Sequence, residues 1–203
     1  GILDTLDLGS EPDSAQSLHF QIEAMKLALA DLAAYVADPA HMKAVSASDL
    51  LDKTYLAGRA KLIDPGKAQT FDPGKPQDGG TVYISAADSD GMMVSFIQSN
   101  YAGFGSGVVV PGTGISLQNR GAGFSLAEGH PNQVAPGKKP FHTIIPGFIM
   151  KDGAPLTSFG VMGGPIQAQG HVQMVLRMEK FDQDPQTAID APRWRVLDAK
   201  RVA

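Results

Sequence analysis

The stretch that decides the fold is residues 79–99, which read GGTVYISAADSDGMMVSFIQS. From Val82 to Ala86 apolar and polar side chains alternate, which is the period-2 pattern of a half-buried strand. The cluster Asp88-Ser89-Asp90-Gly91 favours a turn, and a return strand from Met92 to Ser99 follows it. The sequence therefore predicts an antiparallel hairpin whose first strand begins at Thr81.

The predicted turn brings Ser99 close to Thr81. For a turn centred on Asp90-Gly91, residue 99 pairs with residue 82 across a two-residue loop and with residue 80 across a four-residue loop. Either register allows the Ser99 hydroxyl to hydrogen-bond the hydroxyl or the amino group of Thr81. The alternative is a serine that is simply solvated at a strand end.

The tripeptide Gly79-Gly80-Thr81 is typical of a self-cleavage site. A hydroxyl is a weak nucleophile that needs an adjacent base. A threonine at a new chain start carries that base itself, because an α-amino group has a pKa of roughly 7.7 to 8.0. Glycine at position 80 tolerates the strained backbone that attack by Thr81 on the preceding carbonyl requires. The alternative is a plain loop that enters a strand.

Two helices are predicted before this site. Apolar residues spaced by three or four form one stripe from Ser14 to Val36, and Asp38-Pro39 ends that helix. Ser46 followed by Asp49 resembles a capping arrangement for a second helix that continues through Leu62. Residues 64–80 are rich in Pro and Gly, so we expect a loosely ordered segment that leads to the cleavage site.

Composition excludes several classes of function. The 203 residues carry a net charge of −4 with scattered basic residues, so we expect neither a nucleic acid nor a membrane as partner. The chain lacks cysteine, which excludes disulfides, thiol catalysis and cysteine-based zinc sites. The five histidines lack ligand spacing with carboxylates, so we expect no metal and no cofactor. Gly1-Ile2-Leu3-Asp4 reads like the interior of a longer chain, and both a cytoplasmic and a periplasmic location remain open.

Several motifs together resemble the gamma-glutamyltransferase (gamma-glutamyltranspeptidase) family of N-terminal nucleophile hydrolases. The resemblance covers residues 14–64 and 81–195. The motifs that carry it are Tyr35-Val36-Ala37-Asp38-Pro39, the block from Gly80-Thr81 to Asp90-Gly91, Phe104-Gly105-Ser106-Gly107, Leu117-Gln118-Asn119-Arg120-Gly121, Met162-Gly163-Gly164 and Ala191-Pro192-Arg193.

The resemblance implies an α+β fold, the four-layer αββα sandwich, of which this chain is the C-terminal portion. It implies that residues 1–80 end a large subunit and that residues 81–203 form the small subunit, with cleavage between Gly80 and Thr81. The remainder of the large subunit is then the protein partner.

The resemblance also implies roles for individual residues. Thr81 matches the family nucleophile, and Ser99 matches a hydroxyl that supports maturation and catalysis. Gly163 and Gly164 match the pair whose backbone N–H groups form the oxyanion hole, where preorganised donors stabilise a developing charge. Without the resemblance, the two glycines are equally compatible with a plain turn before a helix from Ile166 to Phe181.

The departures from the family pattern indicate a different substrate. Relatives that grip a γ-glutamyl ammonium use an amide and a carboxylate where this chain has Arg120 and Gly123. A cation disfavours an ammonium and favours a carboxylate. The paired serines that hold the substrate carboxylate fall on His142 and Thr143, although His142 is also compatible with a structural role. Only 16 residues, 126–141, lie between Ser125 and His142, which is short for the family's lid loop.

The hypothesis from sequence is a hydrolytic branch of the family. Thr81 attacks a small amide that bears a carboxylate, either oxamate-like or glutaryl-like, and water releases the acyl-enzyme. One alternative is a true gamma-glutamyltransferase that cleaves glutathione. Another is an uncleaved, inactive binding module, since residues on both sides of the Gly80–Thr81 bond are written as one chain.

Overall fold

The computed structural model describes residues 1–43, 45–70, 80–198 and 200–203. Helices and strands are both present, which confirms the α+β part of the predicted fold class. The helices are α1 (Ala15–Tyr35), α2 (Ala47–Leu50), α3 (Lys53–Ala60), α4 (Ile166–Val175) and α5 (Pro185–Asp190), and the strands are β1 (Gly80–Ala87), β2 (Met93–Tyr101), β3 (Gly147–Lys151) and β4 (Ala154–Phe159). In the described part of the chain, no helix is long and apolar enough to cross a membrane.

The chain forms two compact units. The first comprises residues 1–75, 124–141 and 174–203, and the second comprises residues 76–123 and 142–173. These units are defined by spatial contacts, so they do not test the predicted division into subunits at residue 80.

Helix α1 organises the first unit and confirms the helix predicted from Ser14 to Val36. Its core residues Phe20, Ala24 and Leu27 lie outside the predicted apolar stripe. Ser14 caps the helix by accepting a hydrogen bond from the Ser17 N–H group, and Val36 ends it. The buried side of the helix meets the N-terminal segment and α3 in an apolar core. That core consists of Ile2, Leu8, Phe20, Ala24, Leu27, Ala60 and Ile63.

The second predicted helix is divided into two. Ser46 and Asp49 form the predicted capping box at the start of α2. A single helix through Leu62 is wrong, because α2 ends at Leu50 and Asp52 starts α3. The Asp52 carboxylate accepts a hydrogen bond from the Tyr55 N–H group at 2.9 Å, so a second cap interrupts the helix.

The start of the segment at residues 64–80 is more ordered than its composition predicts. The Gln69 N–H group donates to the Glu23 carboxylate at 3.0 Å, and the Gln69 carbonyl accepts from Lys26 at 3.2 Å. The Gln69 side chain accepts from the Asp64 N–H group at 2.8 Å. These contacts hold residues 64–69 against α1. The rest of the prediction, for residues 71–79, lies outside the described residues.

Two antiparallel hairpins form the strands of the second unit. β1 pairs with β2, and β3 pairs with β4. The predicted turn at residues 88–91 is confirmed, but both predicted registers are wrong along the body of the hairpin, where Val82 pairs with Gln98. The register shifts between Gly80 and Val82, so that Gly80 faces Tyr101. A bulge therefore lies at Thr81, where no regular register applies.

Close packing fixes β1 and β2 against the end of β4. The Ser95 hydroxyl lies 3.1 Å from the Tyr83 hydroxyl and donates to the Phe159 carbonyl at 3.4 Å. A Cβ atom at Gly160 would lie 2.4 Å from the Tyr83 ring, so this position has room only for glycine. The strand that carries Thr81 is therefore held firmly within its unit.

Candidate active site

The bulge at the start of β1 places Thr81 beside Ser99. The Thr81 Oγ1 hydroxyl donates to Ser99 Oγ at 3.3 Å, which confirms the predicted proximity although the predicted registers were wrong. Ser99 Oγ also accepts a hydrogen bond from the Tyr101 N–H group at 2.9 Å. Both hydroxyl-bearing residues are partly buried. The Ser99 oxygen thus fixes the Thr81 hydroxyl while Thr81 is still bonded to Gly80.

A tight turn after β2 positions the next part of the site. The Asn119 side chain accepts from the Ala102 N–H group at 3.0 Å and donates to the Gly105 carbonyl at 3.1 Å. Gly105 has φ of +75°, and a Cβ atom there would lie 2.5 Å from the Leu117 carbonyl oxygen. The motifs Phe104–Gly107 and Leu117–Asn119 are therefore packed against each other, and Arg120 follows directly.

Arg120 is a buried cation with little internal compensation. The residue is only 2% exposed. Its Nη1 donates to Thr143 Oγ1 at 2.9 Å, whereas its Nη2 is buried without a hydrogen-bond partner among the described residues. Within that part of the chain, no carboxylate forms an ion pair with Arg120. Burial lowers the pKa of the guanidinium, which nevertheless stays protonated.

Tyr101 is a member of this site that the sequence analysis missed. The residue is 8% exposed, and the Arg120 Cζ atom lies 4.9 Å from the centroid of its ring. Its backbone is left-handed, with φ of +75°, which is unusual for a bulky residue. The predicted return strand ended at Ser99, so Tyr101 was assigned to no element, and no local pattern signals its conformation.

Thr143 connects Arg120 with Gln167 on α4. Its hydroxyl accepts from Arg120, and its carbonyl accepts from the Gln167 amide at 3.0 Å when that amide is oriented to face carbonyl oxygens. In the same orientation the amide donates to the Val161 carbonyl at 3.2 Å. Gln167 is fully buried and was also missed by the sequence analysis, where it was read only as part of a helix.

His142 lies next in the chain to Thr143 but makes a different contact. Its Nδ1 accepts a hydrogen bond from the Ile144 N–H group at 3.2 Å, so the neutral ring carries its proton on Nε2. The ring is exposed, yet partial desolvation, followed by the nearby charge of Arg120, lowers its pKa. His142 is therefore neutral at pH 7 and presents an N–H donor.

Gly163 and Gly164 form a left-handed turn immediately before α4. Their φ values are +122° and +65°. A Cβ atom at Gly163 would lie 2.7 Å from the Ile166 side chain, so the first position has no room for a larger residue. The Gly164 carbonyl accepts from the Gln167 N–H group at 3.0 Å, which starts the helix. α4 with its π-helical extension Leu176–Lys180 covers nearly all of the predicted helix from Ile166 to Phe181.

The described residues contain no group of three or more His, Asp or Glu side chains that could hold a metal ion. Gly80 and Thr81 lie in continuous backbone at the start of β1. Gly79, the other glycine of the predicted cleavage site, lies outside the described residues.

Comparison with known proteins identifies the family. The sequence model of the family described as Gamma-glutamyltranspeptidase matches residues 1–201. The chain belongs to the gamma-glutamyltranspeptidase family. The match confirms the resemblance on which the site residues were selected, whereas the role of each residue stays a prediction.

Members of this family with several different names are similar to the chain. The oxamate amidohydrolase proenzyme of Klebsiella pneumoniae is 41% identical over 194 residues, which cover 96% of this chain and 36% of that protein. The glutathione hydrolase-like YwrD proenzyme of Bacillus subtilis is 40% identical over 184 residues, which cover 91% of this chain and 34% of that protein. The chain therefore spans about a third of the length of these relatives.

A solved structure shares the fold. The crystal structure of cephalosporin acylase from Bacillus halodurans has a TM-score of 0.90 and 50% sequence identity to the chain. The similarity covers 99% of this chain and 36% of that one.

Proposed function

We propose that the chain carries the nucleophile-bearing part of a self-cleaving amidohydrolase that acts on a small amide with a carboxylate group. The observation that supports this substrate class is the buried Arg120 guanidinium, which has an unused donor and no carboxylate partner in the described residues. A buried charge without a counter-ion is costly, and a ligand carboxylate would compensate it through a charge-assisted hydrogen bond.

The first proposed step is cleavage between Gly80 and Thr81. Thr81 Oγ attacks the Gly80 carbonyl carbon, and the hydroxyl proton passes to the departing nitrogen, which becomes the new α-amine. The hydrogen bond from Thr81 to Ser99 in the continuous chain supports a role for Ser99 in orienting the attacking oxygen. Hydrolysis of the resulting ester frees the Thr81 hydroxyl. Residues 1–80 then end the large subunit, and residues 81–203 form the small subunit.

The second proposed step is attack on the substrate amide. The new α-amine of Thr81 takes the hydroxyl proton while Oγ bonds to the amide carbon. The N–H groups of Gly163 and Gly164 hold the oxyanion, a role supported by their left-handed backbone at the start of α4. The amine leaves with the proton held by the α-ammonium. Water then attacks the acyl ester, which releases the acid and restores Thr81.

Arg120 and its neighbours are proposed to orient the substrate. The guanidinium binds the substrate carboxylate through the Nη2 donor, while Thr143 holds Nη1. His142 contributes the neutral Nε2–H donor that its lowered pKa supports. Arg120, His142 and Thr143 thus take the substrate-binding positions of the family with side chains that differ from the usual ones.

The relatives support two kinds of carboxylate-bearing amide. The Klebsiella protein is named an oxamate amidohydrolase, and the solved Bacillus halodurans protein is named a cephalosporin acylase. We also propose that the protein partner is the remainder of the large subunit. The assembled enzyme then has the four-layer αββα architecture. A glutathione-cleaving transferase is the competing function, since another relative is named glutathione hydrolase-like.

Intact mass and N-terminal sequencing of the purified full-length protein test the proposal. Incubation at neutral pH is expected to yield a chain that begins Thr81-Val82-Tyr83, and the Thr81→Ala variant is the matched control that stays whole. A wild-type protein that remains uncleaved would contradict the proposal and favour an inactive binding module. The processed enzyme is then assayed on oxamate and on glutaryl amides.

A further inference from the structure

The starting observation is the way in which the buried Arg120 cation is held. An internal carboxylate would bind a guanidinium edge and occupy two of its donors. The Arg120 Cζ atom instead lies over the Tyr101 ring, 4.9 Å from its centroid. A ring face attracts a cation but uses none of its N–H groups, which all lie in the guanidinium plane. Tyr101 therefore compensates part of the charge, while Nη2 stays without a hydrogen-bond partner among the described residues.

A second observation connects the same residue with the nucleophile. The Tyr101 N–H group donates to Ser99 Oγ at 2.9 Å, and Ser99 Oγ accepts from the Thr81 hydroxyl at 3.3 Å. Tyr101 also faces Gly80 across the hairpin, at the bulge that precedes Val82. Tyr101 thus contacts Ser99, which holds the attacking hydroxyl of Thr81, through its N–H group. Through its ring it contacts Arg120, which is proposed to bind the substrate carboxylate.

The backbone of Tyr101 indicates that its position is imposed by these contacts. Among the described residues, the other two non-glycine residues with left-handed φ are Asp152 and Asp182, and aspartate tolerates this region. A tyrosine does not adopt it readily, and such conformations persist where the surroundings over-determine them. The ring direction at the end of β2 is consequently set by this local conformation and not by continuation of the strand.

From these three observations we infer that Tyr101 is a positioning residue that determines substrate specificity. It holds the Arg120 guanidinium through its ring face and leaves Nη2 without a partner among the described residues, available to pair with a substrate carboxylate, and its N–H group links the site to Thr81 through Ser99. This inference rests on the proposed function, because it assumes that a substrate carboxylate binds Arg120.

The test is a selectivity ratio measured on the processed full-length enzyme. The ratio is kcat/KM for the glutaryl or oxamic anilide, whichever the wild type hydrolyses faster, divided by kcat/KM for the same anilide with its carboxylate replaced by a carboxamide. Tyr101→Phe keeps the ring and is expected to keep the ratio. Tyr101→Leu removes the ring and is expected to lower the ratio by roughly 2- to 30-fold, mainly through KM of the charged substrate.

A second replacement keeps the shape of the ring. Pentafluorophenylalanine at position 101 reverses the charge distribution of the ring face, so it is expected to lower the ratio relative to Tyr101→Phe even if Tyr101→Leu fails to fold. Equal ratios for the phenylalanine and pentafluorophenylalanine proteins would overturn the role of Tyr101.

The Arg120→Gln variant separates this inference from the proposed function. If Arg120→Gln lowers the ratio and pentafluorophenylalanine does not, carboxylate binding stands and the positioning role of Tyr101 fails. If Arg120→Gln leaves the ratio unchanged, the proposed carboxylate site fails, and the inference about Tyr101 fails with it.

Discussion

Two of the buried cations among the described residues, Lys26 and Arg120, differ in how the protein compensates their charge. Lys26 on α1 is 7% exposed, and its Nζ lies 2.7 Å from the carboxylate of Glu23, which is 1% exposed. The other carboxylate oxygen and Lys26 together hold the backbone of Gln69. Arg120 is buried to a similar degree, but the described partners of its guanidinium are only the Thr143 hydroxyl and the face of the Tyr101 ring.

The difference separates a structural cation from one that is available to a ligand. The charge of Lys26 is compensated within the fold, and the pair fixes a chain segment on α1. The charge of Arg120 is incompletely compensated, so its desolvation cost is recovered only when an anion binds. Substitutions at the Lys26 pair should therefore lower stability, whereas substitutions of Arg120 should lower activity on a carboxylate substrate.

The largest expected effect is on stability, at the compensated site. Glu23→Gln leaves Lys26 buried without its counter-ion, so the free energy of unfolding should fall by about 3–5 kcal/mol, as for other broken buried pairs. Urea denaturation of the full-length protein measures this. The double variant Glu23→Gln with Lys26→Met removes both charges and should recover most of the loss. A Glu23→Gln protein as stable as the wild type would contradict the assignment of this pair as structural.

The next effect is on activity, at the uncompensated site. Arg120→Gln removes one charge-assisted contact worth roughly 1.5–3 kcal/mol, so kcat/KM for the carboxylate amide should fall by about 10- to 150-fold. The free energy of unfolding should stay unchanged or rise, because no buried partner loses its counter-ion. Arg201→Gln is the matched control, since Arg201 is exposed and pairs with Asp198. Loss of stability without an increase in KM would count against the proposed role.

A smaller effect is expected from the hydroxyl that holds Arg120. Thr143→Val removes the acceptor of Nη1, and a hydrogen bond of this kind contributes about 0.5–1.5 kcal/mol net. KM for the carboxylate substrate should therefore rise by a few-fold, with little change in kcat. Thr143→Ser keeps the hydroxyl and should behave like the wild type; steady-state kinetics of both variants decide the matter.

The smallest effect is a pH dependence of stability that arises away from both cations. Burial lowers the pKa of His171 on α4, whose ring lies 4.7 Å from that of Phe159 and whose Nε2 has no partner among the described residues. An unfolded histidine titrates near 6.5. The unfolded chain therefore binds the proton at a higher pH, so stability is full above about 6.5 and falls as the pH drops from there toward the lowered pKa.

Replacement of this histidine isolates the effect. His171→Phe keeps an aromatic ring beside Phe159 and should flatten the stability profile between pH 7 and 5, measured by urea denaturation at each pH. His142→Gln is the control for the second histidine whose pKa is lowered. An unchanged profile in the His171→Phe protein would show that another group is responsible.

Local patterns predicted much of the fold. The apolar stripe and Ser14 predicted α1, the Ser46–Asp49 pair predicted the cap of α2, and alternation predicted the hairpin. The break before α3 was missed because the Asp52 cap competes with a continuous apolar pattern. The hairpin register was missed because residues 88–92 connect the last strand pair, Ala87 with Met93, and this loop is neither of the two loop lengths considered.

The candidate site was predictable only in part. Family motifs selected Thr81, Ser99 and Arg120, and the structure brings the first two into hydrogen-bonding distance. Two features have no local signature, since they depend on residues distant in sequence: the left-handed backbone of Tyr101 and the burial of Arg120 without a carboxylate. Segment 64–69 was misjudged because its Pro/Gly content does not reveal the contacts of Gln69 with α1.

The most direct test compares hydrolysis of γ-glutamyl and glutaryl anilides by the processed full-length enzyme. These two substrates differ only in an α-ammonium group, which a site built around the Arg120 cation should repel. The account predicts a higher kcat/KM for the glutaryl compound, and a lower preference for it in the Arg120→Gln variant. A strong preference of the wild-type enzyme for the γ-glutamyl compound would contradict the account and identify a gamma-glutamyltransferase.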